Sequence, residues 1–204
     1  MSFNFRQFLN ESPQSIDSLN TDMYDKAANI KEGGKFLRRK KEVYSETENS
    51  ILFRTGMERD GYIVLLDKNN NFVNYFVRFI YKKLDGEKYA TQVAVWRTTD
   101  PTIPREEEYG IATKVFFDIL LKKFDRIASD MQQTNDGRNF WMLQMARAAR
   151  SGFKVGLLKV GTKEITYFDK TKHDSISDWV ATLESTWGRE VKYQRYRFII
   201  DSKE

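Results

Sequence analysis

Residues Ile127 to Gly156 read IASDMQQTNDGRNFWMLQMARAARSGFKVG, and this stretch decides the fold. It opens as the end of a short strand, DRIASD. Polar turn chemistry follows, and Thr134 or Asp136 can cap the next helix by accepting a backbone N–H bond. That helix is expected to stop at Gly152, because glycine takes the left-handed conformation past a helix end without strain. A second strand, FKVGLLKV, begins at once. Strand, helix and strand in this order argue for an α/β sheet, and polar groups at strand ends in such sheets often carry function.

The neighbours extend the pattern. Upstream, YGIATKVFFDILLKKF has helical spacing at Ile111, Val115 and Ile119, with Ala112, Phe116 and Leu120 beside them. So wide an apolar stripe predicts a largely buried helix. Before it, SILFRTG, GYIVLLD, FVNYFVRFIYKK and YATQVAVWRT are apolar or alternating runs bounded by Gly, KNNN and LDGE. They read as four strands of a meander. Downstream come the strands FKVGLLKV and EITYFD, a helix with Ile176, Trp179, Val180, Leu183 and Trp187 on one face, and a last strand, EVKYQRYRFIID. The order from Ser50 is therefore ββββαβαββαβ, which predicts a mixed sheet.

The first 49 residues differ. SFNFRQFLNESPQS reads as a short amphipathic helix ended before Pro13. A polar linker follows, then Asp22 to Tyr44 reads as helix interrupted at Gly33-Gly34. Residues 1–49 are thus expected as a helical and linker extension, and residues 50–204 as a single domain.

Composition narrows the chemistry. The 204 residues contain no cysteine and one histidine, His173, which excludes disulfides, thiolate chemistry, Cys-based zinc sites and His-rich metal sites. No stretch approaches the roughly 18 apolar residues of a membrane helix, so no membrane partner is expected. The net charge is +5. Most of it lies between Lys31 and Glu42, where Lys31, Lys35, Arg38, Arg39, Lys40 and Lys41 face only Glu32 and Glu42. Such a run is a solvated face or a nucleic-acid contact, and Lys35, Arg38, Arg39, Lys40 and Lys41 are the candidates for the second role. KYQRYRF near the end alternates bases and aromatics, which on an exposed strand would suit nucleic acid and on a half-buried strand is ordinary amphipathicity.

The helix starting near Gly110 offers free N–H groups and a positive dipole end, and small residues there allow backbone to approach a phosphate. Glu106, Glu107 and Glu108 precede it, so an acid-capped structural helix is the alternative reading. Asp130 stands at a strand end, where an α/β catalytic carboxylate or a plain loop residue would sit. Thr134 is a substrate contact or an N-cap. Arg138, near a helix start, could meet an anion.

From Gly61 to Val160, about half the chain, this order of elements resembles the core of the GNAT family of N-acetyltransferases. The resemblance rests on the strand, loop and GIA helix, then on ARAARSGFKVG. In that family a Gln/Arg-x-x-Gly-x-Gly/Ala loop holds the pyrophosphate of acetyl-CoA with its amides. Two splayed strands admit the pantetheine arm, and a Tyr-x-x-x-Gly-Phe helix end supplies the acid that protonates the leaving thiolate. The resemblance implies a mixed α+β fold with a GNAT-like central sheet and helices on both faces. It implies acetyl-CoA or another acyl-CoA as cofactor, held at Gly110, Ile111, Ala112 and Thr113. Gly152-Phe153 matches the family's Gly-Phe pair. The Gln/Arg position falls on Glu107 and the tyrosine position on Ala148, so the same resemblance implies a degenerate site. Were the chain an active acyltransferase, Asp130 or Tyr109 would have to supply the acid or base.

SDMQQTNDGRNFW is similar to a variant found in GNAT-like proteins of bacteriophages. FRQFLNES resembles the leader of internal capsid proteins of large tailed phages, which are cut after the glutamate, here Glu11. These resemblances imply a protein of the virion or the host cytoplasm, with phage structural proteins or a host protein as partner. Three functions follow as expectations. They are a phage GNAT-fold accessory protein with a degenerate site, an active acyl-CoA-dependent N-acyltransferase, and a nucleic-acid-binding accessory protein.

Overall fold

The computed structural model describes residues 23–58, 60–84, 87–98, 110–129, 135–183 and 195–202. Among these the chain is mixed α+β, with four helices and nine strands in a mostly antiparallel, mixed sheet. It divides into two compact units. The first takes in the chain up to Ile80 together with Val93–Ile111, and the second takes in Tyr81–Gln92 and the chain from Ala112 onward.

The first unit begins with helix α1, Lys26–Arg38, capped by the Asp25 carboxylate, which accepts from the Ala28 N–H at 2.8 Å. Strands β1, Lys40–Glu46, β2, Ser50–Gly56, and β3, Asp60–Asp67, follow. Two long strands, β4, Val73–Leu84, and β5, Glu87–Arg97, run through both units. Strands β1 to β4 lie in sequence order and are antiparallel. The expected KNNN turn is built from side chains. Asp67 accepts from the Asn69 N–H and Asn70 from the Phe72 N–H, each at 2.8 Å, while Asn71 takes a left-handed φ of 62°.

One face of this sheet holds the core. Ile51, Phe53, Val64, Leu66, Phe76 and Trp96 pack with Met23 and Phe36. Burying each such side chain contributes about 1.5–3 kcal/mol. Asn29 ties α1 to β4. Its side chain is fully buried, donates to the Met23 and Val73 carbonyls at 3.2 Å, and accepts from the Val73 N–H at 2.7 Å.

From Ala112 on, the second unit contains helix α2, residues 111–124, whose middle, Lys114–Leu120, is a π-helical stretch. The Leu121 N–H reaches the Phe116 carbonyl, five residues back. Val115, Phe116, Ile119, Leu120 and Leu121 are all buried, as the wide apolar stripe requires. Strand β6, Arg126–Ser129, helix α3, Asn135–Arg150, strands β7, Lys154–Lys159, and β8, Glu164–Tyr167, helix α4, Ile176–Thr182, and strand β9, Tyr196–Asp201, complete the unit. Its strands are ordered β5-β6-β9-β7-β8. The β5–β6 pair is parallel, Ala90 to Gln92 against Ile127 to Ser129, and the pairs made by β9 and β8 are antiparallel. Arg126 and Asp201 face each other across β6 and β9 as an ion pair, and the Tyr167 hydroxyl donates to the same carboxylate at 2.7 Å.

Every strand and helix expected from Ser50 to the end has its counterpart. Two expectations change. Gly33-Gly34 does not interrupt α1, because a helical glycine at 33 serves close packing. A Cβ there would stand 1.9 Å from the Asn71 carbonyl oxygen. The helix ends at Arg38 instead of reaching Tyr44, and the sheet begins at Lys40, ten residues before Ser50. The last strand takes the half-buried alternative of the two readings. β9 lies between β6 and β7, and Phe198, Ile199 and Ile200 are fully buried. Its alternation comes from the sheet, and Lys192, Tyr193 and Gln194 fall outside the described residues.

Candidate functional site

Gly110 precedes α2 with φ 77°, a left-handed value that side-chain-bearing residues adopt at a cost. It is exposed, and a Cβ there would meet nothing within 4 Å. Conformation, not crowding, therefore calls for glycine at this position. Ile111 is buried, while Ala112 and Thr113 are half-buried. The first N–H groups of a helix have no partner within it, so the start of α2 carries a partial positive charge.

In the second unit, Arg147 of α3 reaches the first turn of α2. Its Nη1 donates to Thr113 Oγ1 at 2.8 Å. This bond fixes the guanidinium beside Thr113, within the second unit. Arg147 shares α3 with Arg138 and Arg150. Arg138 and Arg150 are exposed, but Arg147 is half-buried. The available signal was its position between Gln144 and Ala148, both buried, on the flank of the apolar stripe.

Ala148, at the tyrosine position of the resemblance, is fully buried. Its carbonyl accepts from the Ser151 and Phe153 N–H groups, and the Gly152 N–H donates to the Ala149 carbonyl. With Gly152 at φ 83° these bonds form the Schellman stop that the glycine predicted. Phe153 completes it by packing on Phe117 of α2, ring centroids 5.4 Å apart. Position 148 thus belongs to the helix stop and the core.

Gln144 is 1% exposed, and its Oε1 finds no hydrogen-bond partner, which marks it as a polar group placed at a cost. Its sequence signal was a polar residue inside the stripe of Trp141, Met145 and Ala148. Ser129 is fully buried at the end of β6 and accepts from the Phe198 N–H at 3.0 Å. Both were missed, because single polar residues in apolar runs carry no motif.

Asp130, Tyr109 and Thr134 lie outside the described residues, as do Glu106, Glu107 and Glu108. Among the described residues, no group of three or more His, Asp or Glu side chains could hold a metal ion. No described helix is long and apolar enough to cross a membrane. Of the five basic candidates, Lys35 is committed to Glu32 at 2.6 Å, while Arg38, Arg39, Lys40 and Lys41 are exposed.

No model of a known protein family matches this chain, and no curated protein sequence matches it.

Proposed function

We propose that this chain is a GNAT-like accessory protein of a tailed bacteriophage in which the acyl-CoA site does not catalyse. The observation that carries the reading is Ala148. The position where the resemblance calls for an acid holds a methyl group, fully buried, on a main chain committed to the helix stop. A methyl group cannot protonate a leaving thiolate. Glu107 stands where the family has Gln or Arg, and its charge opposes a pyrophosphate. The leader-like FRQFLNES supports a place in the virion or the host cytoplasm, with phage structural proteins or a host protein as partner.

A second reading, an active acyl-CoA-dependent N-acyltransferase, is favoured by one observation. The Arg147 guanidinium lies beside Thr113, one of the residues that the resemblance assigns to the cofactor. Calorimetric titration with acetyl-CoA separates the two. No heat of binding at millimolar cofactor is expected. Micromolar binding abolished by Gly110→Val would overturn the degenerate reading and install the second. For the virion role, mass spectrometry of purified particles should find this chain with a new N-terminus at Ser12. Its absence from the particles would remove that placement.

A further inference from the structure

We propose that the junction between α1 and β1 is a docking surface for the phosphate backbone of nucleic acid. Arg38 ends the helix, Arg39 forms the turn, and Lys40 and Lys41 begin the strand. All four are exposed, and none has a carboxylate partner among the described residues. The local carboxylates are spent elsewhere. Glu32 holds Lys35 at 2.6 Å, Glu42 holds Arg54 at 3.1 Å, and Glu46 holds Lys68 at 2.8 Å. Glu48 and Glu58 also lack an ion pair among the described residues, and Glu46 feels the charge of Lys40 as well as that of Lys68, but these carboxylates do not contact the four cations directly. Four contiguous like charges therefore remain to project a field of one sign.

The junction is held in place. The Arg39 N–H donates to the Phe36 carbonyl at 3.1 Å, and the Arg39 carbonyl accepts from Thr55 Oγ1 at 2.9 Å. Lys40 then pairs with Thr55 across the ladder. A fixed backbone lowers the ordering cost when the cations meet a polyanion.

Simpler duties explain only part of this cluster. A cation in the last turn offsets the helix dipole, and Lys35 and Arg38 both serve there. Charges on an edge strand prevent association with other strands. In β1 that protection already comes from two irregularities. The register shifts between Lys40 and Glu42 and again between Val43 and Ser45, so Lys41 and Tyr44 bulge from the ladder.

The same bulges choose between partners. An acidic peptide would bind such an edge by adding a strand, and a ladder broken twice within seven residues is a poor template for one. Stable anchoring to an anionic membrane adds an apolar helix face to the basic charges, whereas Phe36, on the apolar side of α1, and Met23, which precedes the helix, are inside the core. A phosphate backbone needs only accessible cations.

The test is fluorescence anisotropy of the whole protein with fluorescein-labelled mixed-sequence DNA, single-stranded and duplex. Four phosphate contacts predict a log–log salt slope of about −3.6 for duplex, roughly a hundredfold loss of affinity between about 50 and 200 mM salt. The variant R38A/R39A/K40A/K41A is expected to lose that slope and the binding with it. R38K/R39K, which keeps the charge, should retain both. K170A/K172A, which removes two cations from a loop of the second unit, should bind as the unchanged protein does. Equal affinity and slope in the quadruple variant would overturn the proposal. So would no binding at the lowest salt, or tighter binding of poly-glutamate than of DNA, which would assign the surface to an acidic protein.

Discussion

Two helices in this molecule carry glycine at places where the sequence reads as a break, and only one of them breaks. In the first unit, Gly33 and Gly34 sit inside α1, and the helix runs on to Arg38. In the second, Gly152 follows α3 and ends it, with φ 83°. The difference lies in what each glycine lacks a Cβ for. At 152 the missing carbon permits a left-handed backbone. At 33 it permits contact, since α1 approaches the β3–β4 turn so closely that a Cβ would meet the Asn71 carbonyl. Local sequence registers the first use, because a C-terminal glycine is a local device. It does not register the second, because Asn71 is distant in sequence.

The sharpest way to break this comparison is Gly33→Ala. Alanine favours helix over glycine by about 1 kcal/mol. Against that stands a contact 1.9 Å from a backbone oxygen, which no rotamer change relieves. Overpacking should dominate, with a net loss of about 3 kcal/mol. A urea melt followed by circular dichroism measures it. If the variant is as stable as the parent, Gly33 is not a packing residue and the account of α1 fails.

Asn29→Ala comes next. It leaves the Val73 N–H and carbonyl, both served by Asn29 in the core, without their side-chain partner. The expected loss is about 2 kcal/mol. Asn29→Asp tests the mechanism, because a carboxylate cannot donate to the Met23 and Val73 carbonyls and would be charged in the core. It should cost more than alanine. An aspartate variant more stable than the alanine variant would show that Asn29 contributes by volume and not by hydrogen bonds.

The comparison also separates what was legible in the sequence from what was not. The four strands from Ser50, the buried α2, the stop at Gly152 and the mixed sheet follow from periodicity and turn chemistry, which act over a few residues. β1 was not legible. KKEVYSE has four charged residues in seven and no buried face, so its pairing with β2 gives no hydrophobic period. The central place of β9 was also hidden, because Tyr-Arg alternation describes a half-buried edge strand as well as a central one. At the candidate site, Gly110 announced itself as the start of a helix. Arg147 did not, because its partner Thr113 is 34 positions away in sequence. Sequence patterns record the face a residue presents and are silent on the partner that meets it.

Smaller effects refine the contrast. Gly152→Ala forces a side chain into a left-handed backbone, which costs about 1–2 kcal/mol. Gly152→Asn should recover part of that loss, since asparagine tolerates the conformation. Equal losses in the two variants would mean that crowding and not φ decides the position.

The smallest effect has the opposite sign. Gly34 lies next to Gly33 in the same helix, yet a Cβ there would meet only Arg38 Nη1 at 3.6 Å, an ordinary contact with the end of a flexible side chain. Neither conformation nor packing requires glycine at 34. Gly34→Ala should therefore express helix propensity alone and stabilise the protein by about 0.5–1 kcal/mol. Two adjacent identical residues would then respond to the same substitution with opposite signs, readable as a higher urea midpoint for one variant and a lower one for the other. If Gly34→Ala also destabilises, the pair acts as a unit. The flexibility inferred for a Gly-Gly break would then have a part in α1, and the packing explanation given for Gly33 would be incomplete.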